Sequence, residues 1–187
     1  MKKYFLFALT GFLLSACSNS GNKTQAIENT SKDRIEITND MENAKGVIPS
    51  WIGEDRVIAM SEPPAHSGKY AGVTNDTIEF SYYYQEIFSN INEVLPKRVV
   101  LSGWVYTTVA NPKVSIICNI NENKTQYNWK AYPLEKELSQ AGKWVEFISE
   151  FYFDDKPIKS EMEIGLYAWN QSKKPVYFDD LKIIFLY

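Results

Sequence analysis

An all-β sandwich is the fold class that three features of this sequence predict. Apolar residues recur with a period of two in Val99-Leu101-Val105, Val114-Ile116-Cys118-Ile120, Met162-Ile164-Leu166-Ala168 and Leu181-Ile183-Phe185. Clusters of Gly, Pro, Asn and Asp separate these runs at intervals of roughly 10–20 residues, the spacing of sandwich strands. No long segment carries the 3.6-residue period of an amphipathic helix.

Taken in order, the globular part begins at Ile35 and runs to Tyr187. Ile87 to Val94 and Leu134 to Ser139 are the helix candidates, each long enough for a turn or so. Turns are expected at Asn111-Pro112, Asn121 to Lys124, Ala141-Gly142-Lys143, Asp154 to Pro157 and Gln171 to Pro175. No internal repeat and no second domain are visible.

Residues 1–16 read as an export signal. Met1-Lys2-Lys3 is a basic start, and the apolar stretch from Tyr4 to Leu14 is too short to span about 30 Å of hydrocarbon. Leu14-Ser15-Ala16-Cys17 resembles the bacterial lipobox, in which the cysteine thiol is acylated and becomes the new N-terminus. That resemblance implies a palmitate-type membrane anchor on Cys17, and Ser18 after it implies outer-membrane sorting. Residues 17–34 then form a tether: the stretch from Ser18 to Arg34 has Ile27 as its one large aliphatic residue.

Composition excludes several functions. Removing the signal takes Lys2 and Lys3 away, so the net charge falls from −3 to −5, which supplies no basic patch for nucleic acid. His66 is the only histidine, and it sits in a His-Ser-Gly-Lys turn, so nucleophilic triads have no base to draw on elsewhere. Cys118 lies in an alternating apolar strand and reads as a small buried hydrophobe without a disulfide partner. Glu161 and Glu163 stand two apart on a strand, roughly 6.5–7 Å, which glycosidase carboxylates would also show, but a solvated strand face accounts for them. The reading is therefore non-catalytic.

Aromatic residues make up 14% of the chain, and strand phase sorts them. Opposite the core phase lie Trp104 and Tyr106 on one strand and Tyr167 and Trp169 on another, beside Ser102, Glu163 and Gly165. If strands 101–107 and 161–169 share a sheet, these rings converge on one platform. Trp104 and Tyr106 stand equally as platform or as packing; Trp129 shares its strand with Tyr127 on a face that could be core. Trp144 reads as structural and Trp51 as a rim residue, while Gln85 and Asn128 are amides suited to sugar hydroxyls.

Five blocks carry a family resemblance: Ala65 to Val73 (AHSGKYAGV), Tyr82 to Ile87 (YYYQEI), Arg98 to Thr107, Gly142 to Phe151, and Tyr167 to Ile183 with its closing Phe-Asp-Asp-Leu. In order and spacing they resemble the carbohydrate-binding modules of families 4, 9 and 22, in the galactose-binding-like superfamily. The resemblance implies a jelly-roll β-sandwich of two antiparallel sheets. It also implies a structural Ca²⁺ held by Glu42, a carbonyl of Gly68 or Lys69, and Asp179, all hard oxygen donors. Asp180 is expected to point away from Asp179 into solvent.

These readings converge on a non-catalytic lipoprotein of the bacterial cell envelope, anchored through Cys17. It would bind a poly- or oligosaccharide with Gln85, Trp104, Tyr106, Trp129, Tyr167 and Trp169. A protein-interaction or scaffold module of the envelope, or an accessory subunit of a glycan-degrading system, fits the same residues.

Overall fold

The computed structural model describes residues 33–43 and 48–187. The expected signal peptide, Cys17 and the tether up to residue 32 lie outside the described residues.

Eleven strands are described, numbered here in chain order. One sheet contains β1 (Arg34–Asn39), β3 (Val57–Ala59), β4 (Tyr70–Thr74), β6 (Arg98–Thr107), β9 (Trp144–Tyr152) and β11 (Val176–Leu186). Its order is β3-β4-β11-β6-β9, with β1 also pairing along β11. The other sheet, in the order β2-β5-β10-β7-β8, contains β2 (Trp51–Ile52), β5 (Tyr83–Ile87), β7 (Val114–Glu122), β8 (Thr125–Pro133) and β10 (Glu163–Asn170). Every recorded strand pairing is antiparallel. The expected jelly-roll β-sandwich is the observed fold.

The apolar phase read from the sequence is the phase that faces inward. Val99, Leu101 and Val105 of β6 meet Ile116, Cys118 and Ile120 of β7 and Ile164, Leu166 and Ala168 of β10 in one buried cluster. Alternation of this kind buries every second side chain because successive Cβ atoms leave opposite faces of a strand. Burial pushes the Cys118 thiol up to about 12, so it packs and does not react.

The helix candidates are single turns: α1 (Phe88–Ile91) buries Phe88, and Leu138 N–H bonds the Leu134 carbonyl at 3.0 Å. Asn123 and Lys124 (φ 51° and 63°) form the tight turn between β7 and β8 that paired positive φ values produce.

One irregularity interrupts the closing strand. β11 carries a bulge between Asp179 and Lys182, with Asp180 left-handed at φ 48°. Before it Val176 and Phe178 face inward; after it Leu181, Ile183 and Phe185 do. Gly103 of β6 lies opposite, where a Cβ would come 2.8 Å from Leu181 Cδ2 and 3.0 Å from the Asp179 carbonyl. Only a residue without a side chain leaves room for the bulge.

Candidate functional site

The outer face of the β2-β5-β10-β7-β8 sheet forms a cleft of about 300 Å³, and strand register dictates its layout. In one cross-strand row Gln85, Gly165, Asn119 and Trp129 lie side by side on β5, β10, β7 and β8. The row on one side holds Glu163 and Asn121. On the other side Tyr167 stands next to Ile117, and beyond it Trp169 bridges to Phe80. Gly165 makes the hollow: it lacks a side chain in the middle of a row whose neighbours are long.

The floor is a chain of polar groups. Gln85 Nε2 donates to Glu163 Oε2 at 2.7 Å, and Asn121 Nδ2 donates to Glu163 Oε1 at 3.2 Å. Asn119 Nδ2 donates to Asn121 Oδ1 at 3.1 Å. The chain ends on Asn119 Oδ1, which is buried and has no hydrogen-bond partner. An orphaned buried acceptor costs about 1–3 kcal/mol.

The walls are aromatic. Tyr167 packs edge-on to Tyr83 at 6.1 Å and to Phe80 at 5.6 Å, and Trp129 meets Trp169 edge-on at 6.0 Å. Trp169 Nε1 donates to Glu79 Oε1 at 2.8 Å, which fixes the indole. Burial raises the Tyr167 phenol above its ordinary value, and a hydrogen bond with Trp129 offsets part of that. Phe80 and Trp129 remain 40% exposed, so stacking surface is open to solvent.

Of the residues expected to bind ligand, Gln85 and Tyr167 line the cleft, and Trp129 and Trp169 pack together beside it on the same sheet. Trp104 and Tyr106 do neither. β6 and β10 belong to opposite sheets, so the shared platform expected from strands 101–107 and 161–169 does not exist. Alternation assigns a side chain to a face of its own strand and is silent about which sheet that strand joins. Trp104 instead stacks on the His66 ring (3.9 Å, 14°) on the other face of the molecule. Tyr106 packs between Trp144 and Tyr177 at 5.5 and 6.1 Å, and Trp144 Nε1 donates to the Pro64 carbonyl at 3.1 Å, the structural role expected of it.

Trp51 is buried against Tyr82 and Tyr84 and is not a rim residue. Asn128 opposite Ile120 stays out of the cleft, and a bulge leaves Tyr127 unpaired, so its ring joins the core edge while Trp129 faces outward. Arg56, Phe80, Tyr83, Asn119 and Asn121 line the cleft although the sequence pattern did not single them out. A signal for the two asparagines was present, since they continue the off-core phase of the strand that carries Val114, Ile116, Cys118 and Ile120.

A second polar cluster gathers at the 65–70 loop. Glu42 Oε1 accepts from Lys69 N and Tyr70 N, both at 2.8 Å. Asp179, fully buried, accepts from Ser67 N at 3.1 Å and from Asp180 N at 2.8 Å. Asp180 does not point into solvent: its carboxylate holds His66 Nδ1 at 2.6 Å and Ser67 Oγ at 2.7 Å. The bulge explains the correction, because a left-handed Asp180 breaks the alternation that would turn neighbours apart.

Glu42 and Asp179 therefore both bond to the loop that contains Gly68 and Lys69. Their oxygen donors suit a hard cation, and no cationic side chain pairs with Asp179 among the described residues. No group of three or more His, Cys, Asp or Glu is gathered tightly enough to hold a metal by itself among those residues. Carbonyl oxygens or water would have to complete the coordination.

No protein-family model matches the chain, and no curated protein matches it. Solved structures do. The CBM22-1 xylan-binding domain of Paenibacillus barcinonensis Xyn10C shares 14% identity at a TM-score of 0.52, over 80% of this chain and 93% of that one. The CBM22-2 xylan-binding domain of the same protein gives 14% identity and 0.50, over 81% and 99%. Their tandem CBM22-1-CBM22-2 domain gives 14% and 0.51, over 77% and 44%. At this identity the likeness establishes the β-sandwich fold.

Proposed function

We propose that this protein is a non-catalytic glycan-binding lipoprotein of the bacterial envelope, with the cleft over Gly165 as its binding site. The observation that carries the reading is the cleft itself, with Tyr83 and Tyr167 on its walls and the Gln85–Glu163–Asn121 chain along its floor. Sugars present C–H faces that pack on aromatic rings and hydroxyls that hydrogen-bond to amides and carboxylates. The fold's likeness to xylan-binding domains supports the same reading.

The test is calorimetry against a panel of oligosaccharides. Tyr167→Ala and Trp169→Ala are each expected to weaken binding by about 1–3 kcal/mol, about fivefold or more, as lost buried aromatic contacts do. Trp104→Ala, on the opposite sheet, should leave affinity unchanged. Equal losses from Trp104→Ala and Trp169→Ala would remove the cleft as the site.

Anchoring rests on the lipobox-like Leu14-Ser15-Ala16-Cys17. Mass spectrometry of the N-terminal peptide is expected to find acyl chains on Cys17, and Cys17→Ser should yield an unprocessed, unacylated precursor. An unmodified Cys17 in the wild type would end this part of the reading.

We also propose that Glu42, Asp179 and backbone carbonyls of Gly68 or Lys69 hold Ca²⁺. Without a cation, burial lifts the Asp179 carboxyl from 3.8 to about 6. The native state then keeps a proton that the unfolded chain has lost, so the contribution of this group to stability falls as pH rises from about 4 to about 6, by up to about 3 kcal/mol. A bound cation favours the carboxylate and reverses the slope. Denaturant titrations at the two ends of that range, on protein stripped of calcium at neutral pH and on protein in calcium, are expected to show calcium adding more stability at about pH 6 than at about pH 4. The same pH dependence in both would exclude the ion.

A further inference from the structure

We propose that the cleft selects glycans carrying carboxylate groups, with Arg56 as the residue that recognises them; this rests on the glycan reading of the cleft. Arg56 ends a short 3-10 turn (Glu54–Arg56) and lines the cleft beside Tyr83. Among the described residues it is the only cation on the cleft wall, and Glu163 is the only acid there.

The chain positions this arginine by several means. Gly53, left-handed at φ 104°, lies beneath it: a Cβ there would come 2.8 Å from Arg56 Cδ and 2.9 Å from Nε. Nη1 donates to the Ser81 carbonyl at 3.1 Å, and the guanidinium lies 5.5 Å from the Tyr83 ring centre. A guanidinium has five N–H donors, so most remain unspent after the bond to Ser81. Its nearest carboxylate is Asp55, 3.9 Å from Nε with a side chain 84% exposed, a contact too long and too wet to satisfy the charge.

The acid does not compete for it. Both Glu163 oxygens accept from amides, Gln85 at 2.7 Å and Asn121 at 3.2 Å. On β10 Glu163 lies beyond Gly165, whereas Arg56 stands at the other end, where Tyr83 meets Tyr167. The cleft thus has a hydrogen-bonded acid at one end and a charge without a close partner at the other. Neutral sugar hydroxyls are served by the amides alone. A planar carboxylate on a ring stacked at Tyr83 and Tyr167 is what a guanidinium fork complements, in a geometry that an ammonium does not reproduce.

Calorimetry on the full chain in non-ionic detergent tests this. The probes are oligogalacturonate, alginate oligomers and glucuronate-branched xylo-oligosaccharides, each beside its carboxyl-reduced neutral counterpart. At least one acidic probe is expected to bind about tenfold or more tightly than its neutral counterpart. Arg56→Gln should remove the preference, so that the acidic and neutral members of the pair bind alike, and Arg56→Lys should retain part of it. Equal affinity for the two members of every pair, binding of neutral probes alone, or an acid preference that survives Arg56→Gln would overturn the inference and leave the glycan reading standing. The wild-type comparison needs no variant, so misfolding of Arg56→Gln cannot obscure it. Absence of binding by all probes, charged and neutral, would overturn both.

Discussion

Gly165→Leu is expected to abolish oligosaccharide binding, a loss of a hundredfold or more, with the melting temperature almost unchanged. A Cβ at this position would meet its nearest neighbours, the Asn119 carbonyl and Tyr167 Cε1, at 3.9 Å, an ordinary contact distance. The backbone is extended in the middle of β10, where a branched side chain is better tolerated than glycine. The fold therefore accepts the leucine. Its side chain then occupies the hollow between Gln85 and Asn119 and fills the space that a sugar ring would take. Calorimetry paired with a thermal melt separates the two effects. Affinity within threefold of wild type would place the ligand elsewhere.

Gly68→Ala is expected to cost about 4 kcal/mol of stability. Gly68 sits at φ 57°, where an alanine is strained by roughly 1 kcal/mol. A Cβ there would also come 2.3 Å from the Glu42 carboxyl carbon. The carboxylate must move, and it then loses both of its 2.8 Å bonds from Lys69 N and Tyr70 N. Bonds to a charged acceptor are worth about 1.5–3 kcal/mol each, so they dominate the loss. Glu42→Ala should remove much of the same energy, and the double variant should fall well short of the sum of the two. Urea denaturation measures all three. A loss below about 1 kcal/mol for Gly68→Ala would mean that Glu42 is not anchored on this loop.

The inward phase of β6, β7, β10 and the latter half of β11 was legible because alternation is a local property of one strand. So were the packing role of Trp144 and the inertness of Cys118, each carried by its immediate neighbours. Half of the aromatic site was legible for the same reason: Tyr167 and Trp169 are off the core phase of their own strand. The other half required partners. Trp104 and Tyr106 share that off-core character, yet their strand joins the other sheet, and Asn119 becomes notable only beside Gly165.

The Asp179–Asp180 pair shows the limit most directly. Consecutive acids on a regular strand point apart, and nothing in Phe178-Asp179-Asp180-Leu181 announces a bulge. The bulge depends on Gly103, remote in sequence, whose missing side chain lets β11 crowd against β6. It turns Asp180 onto His66 and Ser67 and leaves Asp179 buried beneath the same loop.

The residue order by itself determined that the chain is an all-β sandwich and, along β6, β7, β10 and the end of β11, which side chains form its core and which rings face away from it. These are period-two properties, and each strand states them alone. Tertiary structure alone decided which outward faces are the same face. Sheet membership and register are set by the packing of whole strands against one another, and a cleft built from one residue on each of β5, β10, β7 and β8 exists only once those four are aligned.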